Sequence, residues 1–149
     1  MKILFRVDDR LIHGQTITSW CTKYDIKNIL VINDEISSDP LKQIFYKAAI
    51  TPDINLIYSS LEDSPNNIFS LEKALNNSMV ICENIHDINT VLNKLNKTDI
   101  ISDLFIGHLK FNKNKIKHCD GIYLSDNEHY LLSKLSEDFN FKIHFSLIA

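Results

Sequence analysis

The residues best suited to chemistry form one short stretch, Arg6-Val7-Asp8-Asp9-Arg10-Leu11-Ile12-His13-Gly14-Gln15, which begins inside an apolar run typical of a first strand. The stretch combines two arginines, two carboxylates and one histidine. A neutral imidazole is plentiful near pH 7, because the reference pKa of histidine is about 6.5, and it can attack phosphorus without a strong base. The composition of the stretch therefore favours covalent phosphoryl transfer through a histidine.

Each residue type in the stretch has a use in such a transfer. The candidate nucleophile is His13, and Arg10, three residues earlier, is suited to bind two phosphoryl oxygens at once. The backbone N–H groups of Gly14 and Gln15, at the start of the next helix, are suited to receive phosphoryl oxygens, and glycine lets the backbone come close. The supporting candidates are the other charged residues of the stretch, Arg6, Asp8 and Asp9. Either aspartate could orient the imidazole or hold an arginine in place.

A purely structural explanation of the same residues stays open. The charged side chains could form surface ion pairs, which contribute about 0–1 kcal/mol each. His13 would then be a loop residue that happens to precede a helix. Because an arginine–histidine loop has low specificity as a motif, spacing by itself favours this explanation over catalysis.

Composition excludes several other kinds of site. Among 149 residues there are only three glycines, Gly14, Gly107 and Gly121, which cannot build a glycine-rich nucleotide-binding loop. Six histidines occur without a C-x-x-C or H-E-x-x-H motif, so we expect neither a metal nor another cofactor. The net charge of −3 gives no broad footprint for nucleic acid.

The cellular setting follows from the same composition. No apolar stretch approaches about 18 residues, so we expect no direct membrane insertion. The N-terminus becomes charged too early for a signal peptide, which predicts a cytoplasmic protein. Three widely separated cysteines are expected to be reduced thiols in or beside the core.

Short β-branched runs alternate with segments of helical spacing. Strands are predicted at Ile3–Val7, Ile29–Ile32, Ile54–Tyr58, Met79–Cys82, Leu104–Ile106, Gly121–Leu124 and Phe141–Leu147. Apolar stripes that start at Ile17, Leu41 and Ile88 are each expected to pack on the sheet. The alternation predicts one α/β domain over residues 1–149, with a mostly parallel sheet covered by helices on both faces. The last run alternates more strictly and is a candidate antiparallel edge strand.

The string from Arg6 to Gln15 resembles the active-site signature of the mannose/fructose/sorbose family of phosphotransferase-system IIB components. Trp20 stands where that family has a tryptophan on its first helix, and the segment 32–40, Ile-Asn-Asp-Glu-Ile-Ser-Ser-Asp-Pro, resembles its V-x-D-D-E-V-A-N-D-P segment. Gly107 resembles the first of a glycine pair after a later strand. Similarity in order and spacing runs over nearly the whole chain, and the first motif is its most specific part.

The resemblance implies a three-layer α/β/α fold with an open, twisted, mostly parallel sheet and a central first strand. It implies that His13 matches the phosphorylated histidine, usually modified on Nδ1, and that Arg10 matches the phosphate-binding arginine. It further implies a relay in which a IIA phosphohistidine donates to His13, and His13 donates to a sugar held by membrane IIC and IID partners. The protein would then be peripherally associated with a membrane transporter.

Two positions depart from the family pattern. Residue 108 is a histidine where the family commonly has the second glycine, and a loop that needs a positive φ there would be strained. His108 is then either a solvated loop residue, the favoured interpretation, or a contact near the phosphate. Asn33 stands where the family often has aspartate. The expected rim of the site comprises Asp34, Gly107 and His108.

Two further functions remain open at the level of sequence. One is a regulatory module that docks on partners and signals by its phosphorylation state without feeding sugar uptake. The other is a doubly wound module that binds small anions beyond the carboxyl ends of its strands. The sequence specifies neither the sugar nor the oligomeric state, and self-association stays open.

Overall fold

Strands and helices alternate along the chain, as the periodicity predicts. The computed structural model describes residues 2–97 and 99–149. The strands are β1 Ile3–Val7, β2 Ile26–Ile32, β3 Asn55–Ser59, β4 Asn77–Cys82, β5 Asp103–Ile106, β6 Ile116–Cys119, β7 Ile122–Leu124 and β8 Lys142–Phe145. The helices are α1 Gly14–Tyr24, α2 Asp34–Ser37, α3 Pro40–Ala48, α4 Ser64–Glu72, α5 Ile85–Leu95 and α6 Asp126–Phe139.

β1 lies in the interior of a six-stranded sheet. The strand order is β3-β2-β4-β1-β5-β8, and every neighbouring pair is parallel. The chain first leaves β1 toward β2 on one side and later returns to place β5 on the other side. Chain order therefore reverses beside β1, the position where open α/β sheets bind ligands beyond the carboxyl ends of their strands. The loop after β1 begins at this point.

Helices cover both faces of the sheet and give a three-layer arrangement. On one face, α1 buries Ile17, Trp20 and Cys21 in a core with residues of β1, β2 and β4. On the other face, α4, α5 and α6 pack in a larger core. Leu4 belongs to the first core and Phe5 to the second, because successive side chains of a strand point to opposite faces. The stripes predicted on α1 and α5 are confirmed.

The last strand is parallel, which corrects the antiparallel edge strand expected over Phe141–Leu147. β8 pairs with β5 from Asp103 opposite Lys142 to Ile106 opposite Phe145. Its alternation reflects its position at the sheet edge, where its residues are exposed or half-buried. The direction of β8 is instead decided by α6. This helix carries the chain back along the sheet, so that β8 starts at the same end as its partner β5 and runs parallel to it.

The antiparallel pair of this fold lies outside the main sheet. β6 and β7 form a two-stranded hairpin, from Ile116 opposite Leu124 to Cys119 opposite Ile122. The run Gly121–Leu124 predicted β7, but no run predicted β6. Residues of β6 are exposed or half-exposed, so no buried face imposes an apolar pattern on them.

The stripe predicted on α3 faces solvent, so its expected packing on the sheet is wrong. The exposed residues are Leu41, Ile44 and Phe45, at 63%, 65% and 66% exposure. The opposite side of α3 faces the protein and carries Gln43 and Tyr46, both half-buried, with Tyr46 packed against the core that contains the stripe of α1. Gln43 donates from Nε2 to the Ile36 carbonyl at 2.8 Å, and Lys47 donates from Nζ to the Ile54 carbonyl at 2.6 Å. Spacing identified the stripe, but the contacts of Gln43, Tyr46 and Lys47 show that the opposite side of α3 packs.

Candidate functional site

The His13 loop, defined as residues 8–13, joins the carboxyl end of β1 to α1. His13 is the N-cap residue of α1, with φ −145° and ψ 99°. The loop lies beside the Gly107 segment, residues 107–110, which follows β5. The N–H of Gly107 donates to the Val7 carbonyl at 2.7 Å, and the N–H of Asp9 donates to the His108 carbonyl at 2.9 Å. Two loops from neighbouring strands therefore build one edge of the sheet.

Asp8 is the centre of a charge network at the carboxyl ends of β1 and β5. Its Oδ2 lies 2.9 Å from Nη2 of Arg6 and 3.1 Å from Nη2 of Arg10. Its Oδ1 accepts hydrogen bonds from Nε of Arg10 at 3.1 Å and from the backbone N–H of Arg10 at 3.0 Å. The side chains of Arg6 and Asp8 are fully buried. One carboxylate therefore holds both arginines of the motif in fixed positions.

Pairing keeps the network charged despite its burial. Burial by itself would raise the pKa of Asp8, but the hydrogen bond from Arg10 and the charge of Arg6 outweigh it and hold that pKa below its ordinary value. Burial lowers the pKa of Arg6, and the neighbouring Asp8 opposes the shift. A guanidinium keeps its charge at neutral pH. Asp8 is therefore anionic between two cations.

Arg10 presents its guanidinium partly to solvent. Its side chain is 35% exposed, whereas Asp8 beneath it is inaccessible. Asp8 contacts its Nε and Nη2 and so fixes the plane of the group. A guanidinium that is already held in place loses little conformational freedom when it binds a second anion. The exposed part of Arg10 is therefore prepared to bind an oxyanion at the sheet edge.

The His13 ring is held by its own loop. Nδ1 lies 3.1 Å from the Leu11 carbonyl oxygen, and because a carbonyl only accepts, Nδ1 carries the proton in this arrangement. Nε2 is shielded from solvent and has no hydrogen-bond partner within the described residues. Burial lowers the pKa of His13, opposed first by Asp8 and then by the Leu11 carbonyl. The ring is therefore neutral near pH 7.

The backbone on either side of His13 leaves the start of α1 open. Leu11 and Gly14 adopt the left-handed conformation, with φ of 51° and 44°. Apart from its chain neighbours and the backbone of its own helix, no atom of residues 2–97 and 99–149 lies within 4 Å of a Cβ placed on Gly14, and Gln15 is exposed. The first turn of α1 holds no acidic residue, and His13 does not cap it with its side chain. The N–H groups at this helix start are therefore available to an anion.

Gly107 lies directly against the charge network. A Cβ at this position would be 2.3 Å from Nη2 of Arg6 and 2.5 Å from Oδ2 of Asp8. Both atoms belong to fully buried side chains. A glycine is therefore needed here for the close approach of the two strands' loops rather than for an unusual φ.

His108 contacts the His13 loop through both its backbone and its ring. Its N–H donates to Oδ2 of Asp8 at 3.3 Å, and its Nδ1 lies 2.6 Å from Oδ1 of Asp9. Residue 108 does not adopt a positive φ, so the strain considered for this position does not arise. The ring is half-exposed and binds the carboxylate that the neighbouring loop brings to it, a contact that neither expectation for this residue included.

Asp34 is not joined to the His13 loop. Its Oδ1 accepts the N–H of Leu61 at 2.8 Å, and no hydrogen bond or ion pair among residues 2–97 and 99–149 links it to residues 8–13. Asn33 donates from Nδ2 to Oε2 of Glu83 at 2.7 Å, and its Oδ1 accepts the N–H of Ile36 at 3.0 Å. The loops after β2 and β4 therefore form a separate polar network on the same sheet edge.

Sequence reasoning missed two contacts of the buried arginine and one of the histidine. The Ser146 carbonyl accepts from Nη1 of Arg6 at 3.2 Å, across 140 positions of the chain. The Trp20 ring lies 4.4 Å from the Arg6 guanidinium carbon. Trp20 is in the core, at 1% exposure, as predicted, yet it also covers the cation. No side-chain pattern identifies the carbonyls of Ser146 and Leu11 as hydrogen-bond acceptors. The helical spacing of Trp20 predicted only that it lies on a buried face.

The described residues, 2–97 and 99–149, contain neither a cluster of metal ligands nor a membrane-spanning helix. No group of three or more histidine, cysteine, aspartate or glutamate residues there is arranged to hold a metal ion. No helix there is long and apolar enough to cross a membrane. Cys21 and Cys82 are buried, Cys119 is half-buried, and all three are free thiols.

A family model determines where the chain belongs. The model of the sorbose-subfamily IIB component of the phosphotransferase system matches residues 2–148. The chain belongs to this family. The resemblance noted in its sequence is thereby confirmed, and the parallel α/β sheet of this IIB component agrees with it.

Curated relatives match this IIB component over parts of their length. It is 28% identical over 96 residues to a probable phosphotransferase enzyme IIB component of Streptococcus pyogenes, covering 58% of this chain and 59% of the relative. It is 33% identical over 72 residues to the sorbose-specific EIIB component of Klebsiella pneumoniae, covering 48% and 38%. It is 35% identical over 51 residues to the mannose-specific EIIAB component of Escherichia coli, covering 34% and 16%. Each match spans less than two thirds of the relative.

Solved structures share the fold of this IIB component. The crystal structure of manxB from Thermoanaerobacter tengcongensis superimposes with a TM-score of 0.88 at 24% identity, covering 99% of this chain and 87% of that one. The IIBSor domain of the sorbose permease from Klebsiella pneumoniae gives a TM-score of 0.85 at 24% identity, covering 100% and 90%. At these identities the likeness establishes the fold alone.

Proposed function

We propose that this IIB component carries a phosphoryl group on His13 as one step of sugar uptake by a phosphotransferase system. It accepts the group from a phosphohistidine of a IIA domain or protein and passes it to a sugar held by membrane IIC and IID components. Family membership supports this class of reaction. The mannose-specific EIIAB relative supports IIA as the donor. Residues 1–149 act as one cytoplasmic IIB domain in this proposal.

The observation that carries the proposal is the convergence of three groups at the carboxyl end of β1. His13 stands at the N-cap of α1, Arg10 lies three residues before it and is held by Asp8, and the helix start is free of acidic residues. A neutral ring nitrogen, a fixed guanidinium and free N–H groups are the parts that phosphoryl transfer needs.

The transfer consists of two displacements at phosphorus. In the first, a ring nitrogen of His13 forms a bond to phosphorus while the N–P bond of the donor phosphohistidine breaks and its electron pair returns to the donor ring. Arg10 and the N–H groups of Gly14 and Gln15 stabilise the charge on the phosphoryl oxygens. In the second, a sugar hydroxyl oxygen attacks phosphorus, the N–P bond to His13 breaks, and the hydroxyl proton passes to a base of the acceptor site.

The resting His13 ring must move before the first displacement. Nδ1, the nitrogen usually modified in this family, faces the Leu11 carbonyl, and Nε2 is shielded from solvent. Attack through Nδ1 requires the ring to leave that carbonyl and carry its proton on Nε2. The hydrogen bond lost contributes about 0.5–1.5 kcal/mol, which is small beside a chemical barrier. Docking of the donor can therefore supply this rearrangement.

The experiment that tests the proposal is phosphoryl transfer from a phosphorylated IIA protein. The wild type should take up about one acid-labile phosphoryl group per chain, and His13→Ala should take up none. His129→Ala, which alters an exposed histidine on α6, is the matched control and should label like the wild type. Stoichiometric label on His13→Ala would overturn the assignment. Sugar phosphorylation with membrane partners then separates the uptake relay from a regulatory module.

A further inference from the structure

Asp9 is bound to the Gly107 segment from three directions. Its Oδ1 lies 2.6 Å from Nδ1 of His108, and its Oδ2 accepts the N–H of Lys110 at 2.7 Å. Its own N–H donates to the His108 carbonyl at 2.9 Å. The side chain of Asp9 is only 17% exposed, and that of His108 is 32% exposed. The His13 loop is therefore fastened to the neighbouring loop at its second residue.

One of these three contacts depends on the side chain at position 108. The two backbone contacts are open to any residue there, including the glycine that the family commonly has. The ring contact needs a side chain with an N–H group at the position of Nδ1. His108 therefore adds a side-chain support to the His13 loop that a glycine could not provide.

The His13 loop needs such support because its backbone is strained. Leu11 adopts a φ of 51°, which a leucine rarely takes, and strained residues persist only where the surroundings hold them. The N–H of Leu11 donates to the Asp8 carbonyl at 3.0 Å, and the Leu11 carbonyl faces the His13 ring. Asp9 lies inside this turn, between Asp8 and Arg10. Fixing Asp9 therefore fixes the turn that sets the positions of Arg10 and His13.

We propose that His108 is a positioning residue of this IIB component: its ring, acting through Asp9, holds the turn that carries Arg10 and His13 in the geometry required for phosphoryl acceptance. This inference rests on the proposed function, because it concerns the efficiency of that transfer. His108 does not touch the phosphoryl group in this role. Its effect passes entirely through the carboxylate of Asp9.

The first test compares two substitutions at position 108. His108→Ala removes the N–H donor, whereas His108→Asn keeps an amide N–H near the position of Nδ1. We expect His108→Ala to lower the single-turnover rate at saturating phosphorylated IIA by about 10–100-fold, the range in which misplaced catalytic groups fall. The concentration of IIA that gives half-maximal rate should change less than about threefold, because docking is not affected. His108→Asn should restore most of the rate.

The second test asks whether His108 acts through Asp9. In an Asp9→Ala background the ring has no carboxylate to hold, so adding His108→Ala should cost less than about twofold further. A further tenfold loss in that background would overturn the positioning role and indicate direct action on the reaction. A His108→Ala rate within about twofold of the wild type would overturn it as well.

A third measurement is independent of phosphoryl transfer. Amide exchange at Arg10 and Leu11 reports whether the turn is closed, since both N–H groups donate to Asp8. It should be faster in His108→Ala than in the wild type and in His108→Asn. Unchanged exchange in His108→Ala would overturn the positioning role. Absence of label on His13 in the wild type would overturn only the proposed function, so the two failures are distinguishable.

Discussion

At the scale of single residues, Asp8 gives the motif its geometry. It binds Nε and Nη2 of Arg10 from below while its other contacts go to Arg6 and to the backbone of the loop. Arg10 is therefore oriented by the planar shape of its guanidinium as well as by charge. A side chain at position 10 that supplied only the positive charge would not be held in this orientation by Asp8.

We expect Arg10→Lys to lower phosphoryl acceptance by about 100–1,000-fold, the usual effect of removing a donor aimed at developing charge. Lysine keeps the positive charge but cannot bind Asp8 and two phosphoryl oxygens in one plane. The measurement is the single-turnover rate with phosphorylated IIA, and far-UV circular dichroism confirms that the variant is folded. A rate within about threefold of the wild type would show that Arg10 is not the phosphate-binding group.

Gly107 should tolerate no side chain. The Cβ of Gly107→Ala would meet Nη2 of Arg6 at 2.3 Å and Oδ2 of Asp8 at 2.5 Å, so the ion pair or the strand end must shift. We expect a loss of about 1–3 kcal/mol in the free energy of unfolding, as for other overpacked sites, measured by urea denaturation. Ser133→Ala, an exposed substitution within α6, is the control and should change the free energy of unfolding by less than about 0.5 kcal/mol. Equal stability of Gly107→Ala and the wild type would contradict this close approach.

At the scale of elements, α3 differs from the other long helices because its apolar stripe faces solvent. Leu41, Ile44 and Phe45 remain about two thirds exposed, whereas the corresponding stripe of α5 is buried. A side chain that stays in water in the folded state contributes little to the free energy of unfolding. Alanine substitutions in these two stripes should therefore differ in their effect on the free energy of unfolding.

We expect Ile44→Ala to change the free energy of unfolding by less than about 0.5 kcal/mol, because it is an exposed substitution to a residue that favours helix. Ile88→Ala, on the fully buried stripe of α5, should cost about 2–5 kcal/mol. Both values come from urea denaturation of the isolated chain. A loss above about 2 kcal/mol for Ile44→Ala would mean that the α3 stripe is buried in solution.

At the scale of the whole molecule, burial at the carboxyl edge links stability to pH. Burial lowers the pKa of His13 below its value in the unfolded chain, opposed by Asp8. The unfolded state therefore binds more protons at this position as the pH falls, and the contribution to stability is lost below about pH 6.5. The pKa of Asp8 is also lowered, so its contribution is lost only in stronger acid, below about pH 3.9.

We expect the free energy of unfolding of the wild type to fall more steeply between about pH 7 and about pH 5 than that of His13→Gln, which cannot titrate there. Above about pH 7 the two curves should run parallel. Because the other titrating groups are common to both proteins, their effects cancel in the difference. Parallel curves across the whole range would show that the ring has the same pKa in the folded and unfolded states.

Periodicity and motif together predicted most of the fold. Within residues 2–97 and 99–149 the predicted runs fall on every strand except β6, and the buried stripes of α1 and α5 follow from spacing, because these elements have one face in a core. β6 and the direction of β8 were not predicted. An exposed strand has no burial pattern, and the direction of a strand depends on the connection that precedes it.

The sequence by itself determined which functional groups stand between the first strand and the first helix, because the residues from Asp8 to Gln15 are neighbours along the chain in any fold that forms both elements. Tertiary structure decided how those residues are held. Asp8 binds both arginines, the Ser146 carbonyl reaches Arg6 from the far end of the chain, and Asp9 meets His108 across 99 positions. The last two of these contacts depend on which strands become neighbours, and no side-chain pattern marks a backbone carbonyl as a partner. The pairing of β1 with β5 therefore brought the His13 loop against the Gly107 segment, a contact that spacing along the chain does not predict.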